Sequence, residues 1–216
     1  MPQITEFAWF PLKAGTESSP ATAALKKLGP KLQSQPGLVN SWHGAPLERA
    51  QSAEFVNVWE SEEAYKASQA SSLHAEAGDL IGELVDKSDP AVKPYHNAIP
   101  FDKPFEKVAA APIVQLSSIF LPVDVDKAAF QAAFDGVLTH LYSSPPDGFV
   151  LGAHGWALEE VNGAKVFATA SGWESIEKRL AAHAKISEKF AEIQKFTNVV
   201  EVLSQSNTFK VNTVTP

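Results

Sequence analysis

The histidines are the first residues to consider for chemistry, because imidazole is the side chain best suited to proton transfer near neutral pH. The chain of 216 residues contains six of them, at His43, His74, His96, His140, His154 and His183. It contains no cysteine, which excludes disulfides, thiol catalysis and cysteine-ligated zinc or iron–sulfur centres. No His-x-x-x-His pair, phosphate-binding loop or Gly-x-Ser-x-Gly motif occurs. The sequence therefore favours acid–base chemistry by histidine, and no metal site is expected.

Charge and hydropathy exclude several kinds of partner. The net charge is −7, and no segment combines clustered Lys and Arg with aromatic residues, so a nucleic-acid partner is not expected. The N-terminus lacks the basic and apolar regions of a signal peptide. No run of about 18 apolar residues would span a membrane. These features predict a cytoplasmic protein.

Two of the histidines lie in a segment that occurs twice. Residues 37–44 and 148–155 share glycine, valine, histidine and glycine at matching places. The tripeptide Trp-Glu-Ser is also repeated, beginning at Trp59 and at Trp173. The serine of each tripeptide and Asp126 are expected to be helix N-caps. Recurrence at a nearly constant offset indicates that one domain is duplicated within the chain.

Each half predicts the element order β-α-β-β-α-β. The expected first strands are 4–11 and 114–122, both ending in proline, and the expected last strands are 94–101 and 198–203. The first helix, 21–33, should break or kink at Gly29-Pro30. This order is the ferredoxin-like split βαβ unit. Two such units can cover each other's bare sheet faces and close into an α+β barrel. The predicted boundaries are 1–101, a linker at 102–112, and 113–216.

In the predicted strands of the first half, aromatic and amide side chains occur at every second position, so those within one strand lie on the same face. If those faces converge, they form an apolar pocket for a planar ligand. Its expected substrate-binding residues are Phe7, Trp9, Asn40, Trp42, Asn57 and Trp59. The second half has smaller or less polar residues there, at Leu151, Ala153 and Ser171. The first half is therefore the expected host of the site, with plain core packing as the alternative.

The remaining histidines have competing interpretations. His183 lies on an apolar helical stripe with Ile176 and Leu180, and should face the sheet as a core residue, a pocket residue or a haem ligand. His43 and His154 each end a second strand, where a structural hydrogen bond competes with a shared catalytic role. Tyr95 and His96 should point to opposite faces of the last strand.

The element order, the glycine-terminated second strand and the third strand ending in Trp-Glu-Ser resemble the dimeric α+β barrel superfamily. The similarity is to its antibiotic-biosynthesis-monooxygenase and stress-responsive A/B-barrel branches. Tandem single-chain forms of this type resemble fungal proteins, some associated with secondary metabolism. The resemblance implies an intramolecular pseudo-dimer, with a homodimer as an alternative. It also implies candidate activities, namely cofactor-free oxygenation, polyketide cyclisation or dehydration, lactone isomerisation, and haem binding or degradation.

The resemblance also points to His74, which lies early in the second helical region after Ser61. In the cyclases that the chain resembles, a histidine at this place is the general acid or base. Tyr65 and His43 are the expected assisting residues. The sequence departs from that pattern at Ser72, where a proline is usual, and at Glu6, where such cyclases place another histidine.

The expected function is thus a cofactor-independent cyclase, dehydratase, isomerase or monooxygenase acting on an apolar aromatic or polyketide-like molecule. The first alternative is a haem-binding barrel with His183 or His74 as axial ligand. The second is a non-catalytic, stress-related barrel that recruits partners and whose histidines are structural.

Overall fold

The computed structural model describes residues 2–47, 51–88, 94–161, 163–186, 193, 196 and 205–210, the last of these as backbone only. The chain divides into two compact units, and the division falls between Phe101 and Asp102. Each unit contains one four-stranded sheet. The duplication read from the sequence is thus confirmed, while the closure of the two sheets into one barrel remains a prediction.

The first unit has the predicted order of strands and helices. Its strands are β1 (Ile4–Pro11), β2 (Leu38–Gly44), β3 (Ser52–Trp59) and β4 (Tyr95–Ile99). Its helices are α1 (Pro20–Gln33), α2 (Glu62–Gln69) and α3 (Ser72–Leu84). The strands lie in the order β2-β3-β1-β4, and every neighbouring pair is antiparallel. This is the ferredoxin-like arrangement, in which the first and third strands are central.

The predicted break at Gly29-Pro30 is wrong, because α1 continues through Pro30 to Gln33. A proline inside a helix removes one hydrogen bond, to the carbonyl four residues earlier. That carbonyl belongs to Lys26, which is exposed, so water can replace the lost donor. The helix instead ends one turn later, at Ser34.

The second helical region breaks where no break was expected. The predicted long helix is two helices, α2 and α3, separated at Ala70 and Ser71. The hydroxyl oxygen of Ser71 accepts a hydrogen bond of 3.1 Å from the backbone N–H of His74. A serine in this role satisfies a free donor at a helix start and begins a new helix.

The second unit repeats the arrangement. Its strands are β5 (Ile113–Leu121), β6 (Phe149–Trp156), β7 (Lys165–Trp173) and β8 (Gln205–Lys210). Its helices are α4 (Phe105–Ala109), α5 (Lys127–Ser143) and α6 (Ile176–Ile186). The strand order β6-β7-β5-β8 matches that of the first unit. The predicted last strand, 198–203, lies outside the described residues; the strand seen at this point of the fold is β8.

The segment 102–112, predicted as a linker, belongs to the second unit. It contains α4, whose Phe105 and Val108 are fully buried. The backbone N–H of Asp102 donates to the carbonyl of His154 at 2.9 Å. The segment whose Pro, Ala and Lys content suggested a linker therefore contains a short amphipathic helix.

The repeated glycines at the start of β2 and β6 have a structural cause. Gly37 has φ 79° and Gly148 has φ 78°, a conformation that glycine adopts without steric strain. A Cβ at Gly37 would collide with Ala64, and one at Gly148 with Lys178. The two carbonyls accept the backbone N–H groups of Glu60 and Glu174, at 2.8 and 2.9 Å. The same turn thus joins α1 to β2 and α5 to β6.

The helices of each unit pack on one face of its sheet. In the first unit, Tyr65 of α2 packs on Ile4 and Trp59. In the second, Phe130 and Phe134 of α5 pack on Phe167. Asp126 caps α5 as predicted, since its carboxylate accepts two backbone N–H groups. The face of each sheet towards its helices is called the helix-side face below. In the described part of the chain, none of the helices is long and apolar enough to cross a membrane.

Candidate functional site

Strand register decides which side chains share a face in the first unit. Directly opposed residues of antiparallel strands point to the same side of a sheet. Glu6 is opposite Asn57 and Ile4 is opposite Trp59. Since Tyr65 of α2 covers Ile4 and Trp59, Glu6 and Asn57 also lie on the helix-side face.

The predicted convergence of aromatic faces into one pocket is wrong. Phe7 is opposite Val56, and so is Trp42, which places both on the face away from the helices. The residues on that opposite face are Phe7, Trp9, Asn40 and Trp42, whereas Asn57 and Trp59 are on the helix-side face. The alternation along each strand was read correctly. The register between strands, in which a slip of one residue reverses the face, is not set by that alternation.

On the opposite face the aromatic residues pack closely. Trp9 stacks on Tyr95 with ring centroids 5.8 Å apart, and Phe7 meets Tyr95 edge-on at 6.1 Å. Phe7, Trp9 and Trp42 are all buried. Asn40 is exposed, and its side-chain Oδ1 atom accepts the backbone N–H of Ser41. A substrate-binding role for these four residues remains a prediction.

The centre of the helix-side face is the carboxylate of Glu6, which was not among the predicted site residues. Its Oε2 atom accepts hydrogen bonds from Asn57 Nδ2 at 3.1 Å and from Trp59 Nε1 at 2.8 Å. Its Oε1 atom lies 2.8 Å from Gln69 Nε2 and 2.8 Å from His96 Nε2. Strands β1, β3 and β4 and the end of α2 thus meet at one carboxyl group.

These contacts keep Glu6 ionised. Burial by itself raises the pKa of the Glu6 carboxyl, but the hydrogen bond and charge of His96 and the hydrogen bonds of Asn57 and Trp59 outweigh it, so the pKa lies below its ordinary value. A carboxylate that accepts several hydrogen bonds is stabilised in its charged form. An ionised carboxylate can only accept, so the Nε2 atom of His96 must carry the proton that it shares with Glu6.

His96 connects the buried carboxylate to the surface. Its side chain is 36% exposed, whereas that of Glu6 is 8% exposed. The buried ring of Tyr65 stacks on the imidazole, with centroids 6.2 Å apart and planes 20° apart. The Nδ1 atom of His96 makes no hydrogen bond to any described residue. A neutral His96 therefore presents the lone pair of Nδ1, which can accept a proton.

Asn57 is itself held in orientation. The hydroxyl of Ser41, on the edge strand β2, donates to Asn57 Oδ1 at 2.7 Å. Because the amide oxygen is taken by this donor, the amide nitrogen faces Glu6. Ser41 and Asn57 thus form a chain of hydrogen bonds from the sheet edge to the carboxylate.

The three predicted catalytic residues occupy different places. Tyr65 lies in the site, against His96. His43 is exposed at the end of β2, and its ring stacks on Phe55 at 6.0 Å. His74 is half-buried in the first turn of α3, and its imidazole has no hydrogen bond within the described part of the chain. The Glu6 cluster, consisting of Glu6, Asn57, Trp59, Gln69 and His96, does not include His74 or His43.

The prediction that His183 faces the sheet is wrong, because His183 is exposed. Among the described side chains of α6, those of Arg179 and Ala182 are buried, and Leu180 of the predicted stripe is 55% exposed. One residue along a helix rotates the side chain by about 100°. The apolar stripe was therefore placed one residue too far along the chain.

The second unit lacks the carboxylate. Gln115 and Ser171 are opposed at the positions that Glu6 and Asn57 occupy in the first unit. Trp173 Nε1 donates to the Ser171 hydroxyl at 2.9 Å, in place of the bond from Trp59 to Glu6. The predicted divergence of the two halves is therefore visible at the centre of the helix-side face.

His154, the repeat partner of His43, is held in a packed environment. Its ring lies between Phe134 and Phe167, with centroids at 5.3 and 5.7 Å. Burial lowers its pKa below the ordinary value, against the opposing charges of Asp102 and Asp135. Its Nδ1 atom is 3.3 Å from Asp102 Oδ1, without hydrogen-bond geometry. This environment suits a structural, neutral histidine.

One sequence signal does point to the missed carboxylate. Glu6 is the single charged residue of the strand Ile4–Pro11, and a charge within an apolar strand needs partners if it is buried. His96, opposite Ala8, could be joined to Glu6 only through the register of β1 and β4. Among the described residues, no group of three or more acidic or histidine side chains could hold a metal ion.

No family model and no curated protein matches this chain. Solved structures do match over nearly its whole length. An anthrone oxidase-like protein has TM-score 0.70 and 13% identity, covering 98% of this chain and 92% of that chain. A proposed chlorite dismutase has TM-score 0.62 and 11% identity, covering 98% and 95%. A proposed monooxygenase from Lactobacillus acidophilus has TM-score 0.57 and 13% identity, covering 96% and 93%. At these identities the likeness establishes a shared α+β fold.

Proposed function

We propose that the first unit is a small-molecule enzyme that removes a proton from an apolar aromatic or polyketide-like substrate. His96 is the residue that takes the proton, and Glu6 orients and stabilises it. The observation that supports this is the 2.8 Å contact between the buried carboxyl group of Glu6 and a His96 ring that is 36% exposed. A histidine held by a carboxylate on one nitrogen and open on the other is suited to general base catalysis.

An acidic O–H or C–H bond of the substrate breaks, an N–H bond forms at His96 Nδ1, and the electron pair stays on the substrate. The resulting imidazolium lies beside the Glu6 carboxylate, which lowers the energy of the charged state. Tyr65, stacked on the imidazole, limits its rotation.

The substrate anion then has two chemical outcomes. It can rearrange by cyclisation, dehydration or isomerisation, with the proton returned from His96. It can also react with dioxygen as co-substrate, so that a CH₂ group and O₂ give a carbonyl group and water. The name of the anthrone oxidase-like structure favours the oxidative route as the first to test.

His74 and His43 stay in the proposal in secondary roles. His74, near the start of α3, is proposed as a second acid or base that returns the proton. His43, on the same sheet face as His96, is proposed to contact the substrate. Neither is required for the first proton step.

We propose that the reaction needs no dissociable organic cofactor. Haem requires an axial ligand facing an enclosed apolar space, and the exposed His183 does not fit that role. The lining of a cleft between α1 and the junction of α2 and α3 includes Lys31, Ser34, Gln35, Ser68 and Ser71. Histidine is absent from this cleft lining, so these residues do not fit haem either. Hemin titration followed at the Soret band tests this, and we expect no saturable band.

The test of function uses anthrone in air, with oxygen uptake and product mass as readouts. We compare the wild-type protein with H96Q, which retains an amide able to bond to Glu6, and with H140Q, which alters an exposed histidine of α5. If His96 is the base, H96Q lowers turnover by about a hundredfold or more, and H140Q leaves it unchanged.

Equal turnover by the wild type and H96Q would remove His96 from the mechanism. Loss of substrate without oxygen uptake would select the rearrangement route over oxidation. Circular dichroism of each variant shows whether the fold is intact.

A further inference from the structure

A row of four residues crosses the whole sheet of the first unit on its helix-side face. His43 of β2 is opposite Phe55 of β3, Phe55 is opposite Ala8 of β1, and Ala8 is opposite His96 of β4. Opposed residues point to the same side. The row therefore has an imidazole at each end and apolar side chains between them.

The middle of this row is accessible although it belongs to the two central strands. Phe55 and Ala8 are both partly exposed. Two pairs along, Ile4 and Trp59 are fully buried beneath Tyr65. The row of His43, Phe55, Ala8 and His96 is thus at least partly exposed between the buried Ile4 and Trp59 on one side and the buried Phe10 on the other, and it forms an apolar floor.

Within the floor, the ring of Phe55 lies between two nearly parallel rings. Phe55 stacks on Phe10, with centroids 5.7 Å and planes 17° apart. On its other side it stacks on His43, at 6.0 Å and 22°. His43 is exposed, and within the described ranges its ring nitrogens have no hydrogen bond. Its polar atoms are therefore available to a ligand that lies on the floor.

We infer that His43 determines specificity in the proposed site, by hydrogen bonding to a polar group at the end of the substrate opposite the one that His96 deprotonates. This inference rests on the proposed function. Neighbouring strands are about 4.8 Å apart, so the backbones carrying the two histidines are roughly 14 Å apart. Both rings lean inwards, His43 towards Phe55 and His96 towards Glu6.

The preferred substrate class follows from this spacing. A flat molecule of two or more fused rings can lie across Phe55 and Ala8, with an oxygen substituent at each far end. The repeat partner of His43 has no such role, because His154 is packed between Phe134 and Phe167.

The experiment measures the binding of 2,6-dihydroxynaphthalene and of 2-naphthol by isothermal titration calorimetry. The first probe has hydroxyl groups at opposite ends, and the second lacks one of them. One hydrogen bond corresponds to a preference of about five- to tenfold for the dihydroxy probe. We compare wild type, H43F, which retains a ring to stack on Phe55, and the exposed-site control H140Q.

The expected result is that H43F binds both probes equally and binds 2-naphthol as the wild type does, while H140Q keeps the preference. A preference that survives in H43F overturns the inference, and so does a wild type without preference. An equal loss of both affinities in H43F also overturns it, because His43 would then act on packing alone.

Failure of the proposed function gives a different pattern. If the wild type binds neither probe, the floor is not an aromatic site, and both proposals fall. If the preference depends on His43 but H96Q turns over anthrone as fast as the wild type, specificity at His43 stands and the catalytic role of His96 falls.

Discussion

The Nε2 atom of His96 lies 2.8 Å from the Oε1 atom of Glu6, although 90 residues separate them in the chain. The contact joins the last strand of the first unit to its first strand, so it exists only when both are in register. A buried carboxylate is costly without partners, and this one has four. The pair therefore forms only when both strands of the first unit are in place. Its loss should be detectable in the free energy of unfolding and in turnover.

The first prediction concerns the acid stability of the Glu6 cluster. Because the pKa of Glu6 is lowered in the folded state, its contribution is present above the unfolded pKa of about 4.3 and is lost as pH falls through the folded value. At pH 7 we expect E6Q to lower the free energy of unfolding by at least about 2 kcal/mol, since the amide keeps one acceptor oxygen and the donors that bonded to the other are left without one. Urea unfolding between pH 7 and pH 3 should show this difference shrinking in acid.

The matched control is E159Q, which changes an exposed carboxylate and should shift stability by less than about 0.5 kcal/mol. A gap between E6Q and wild type that stays constant down to pH 3 would contradict the assignment of Glu6 as the ionised centre.

The second prediction concerns His154. Its pKa is lowered by burial, so the unfolded chain binds a proton more readily than the folded protein does. The contribution of neutral His154 to the free energy of unfolding is therefore fully present above the unfolded pKa of about 6.5, and it decreases as the pH drops below that value. The free energy of unfolding of H154Q should show a smaller slope than wild type between pH 7.5 and pH 5. The exposed-site variant H140Q should retain the wild-type slope, and an unchanged slope in H154Q would argue against a neutral, buried histidine.

The third prediction separates two effects at glycine. Gly15 and Gly37 have φ of 73° and 79°, but a Cβ at Gly15 meets open space, whereas one at Gly37 collides with Ala64. Gly15→Ala should cost about 1 kcal/mol through the backbone alone. Gly37→Ala should cost roughly 1–3 kcal/mol more through overpacking. Thermal unfolding of both variants measures the difference, and equal costs would mean that the contact with Ala64 relaxes freely.

The fourth prediction concerns His74. If it returns the proton to the product, His74→Ala should reduce turnover by about a hundredfold, with the fold retained because its backbone cap at Ser71 stays in place. Steady-state kinetics on the substrate identified for the wild type provide the measurement. Turnover equal to that of the wild type would leave His96 as the sole histidine acting on protons.

Much of the fold could be read from local signals. Trp59 and Trp173 end equivalent strands, and Asp126 caps its helix as expected. These features depend on residues close together in sequence. The errors at Pro30 and Ser71 arose where a local rule competes with its context, since a helix tolerates proline where water replaces the bond, and a serine can begin a new helix inside an apolar run.

The candidate site was less predictable, because it depends on pairing between distant segments. Glu6 and Asn57 are 51 residues apart, and nothing in either strand fixes which residue faces which. A one-residue slip moves every side chain to the other face, which is how Phe7 rather than Glu6 was matched with Asn57. Tyr65 was selected in connection with a family resemblance, and no sequence signal indicated its contact with His96.

The duplication has a consequence for how this protein can change over generations. In a homodimer, a substitution in the gene appears in both subunits, so a buried acidic residue in one sheet is also present in the other. A tandem gene removes that constraint, and this chain carries Glu6 in one repeat and the uncharged Gln115 at the matching place in the other. One repeat can therefore acquire reactive side chains while the other is selected for stability.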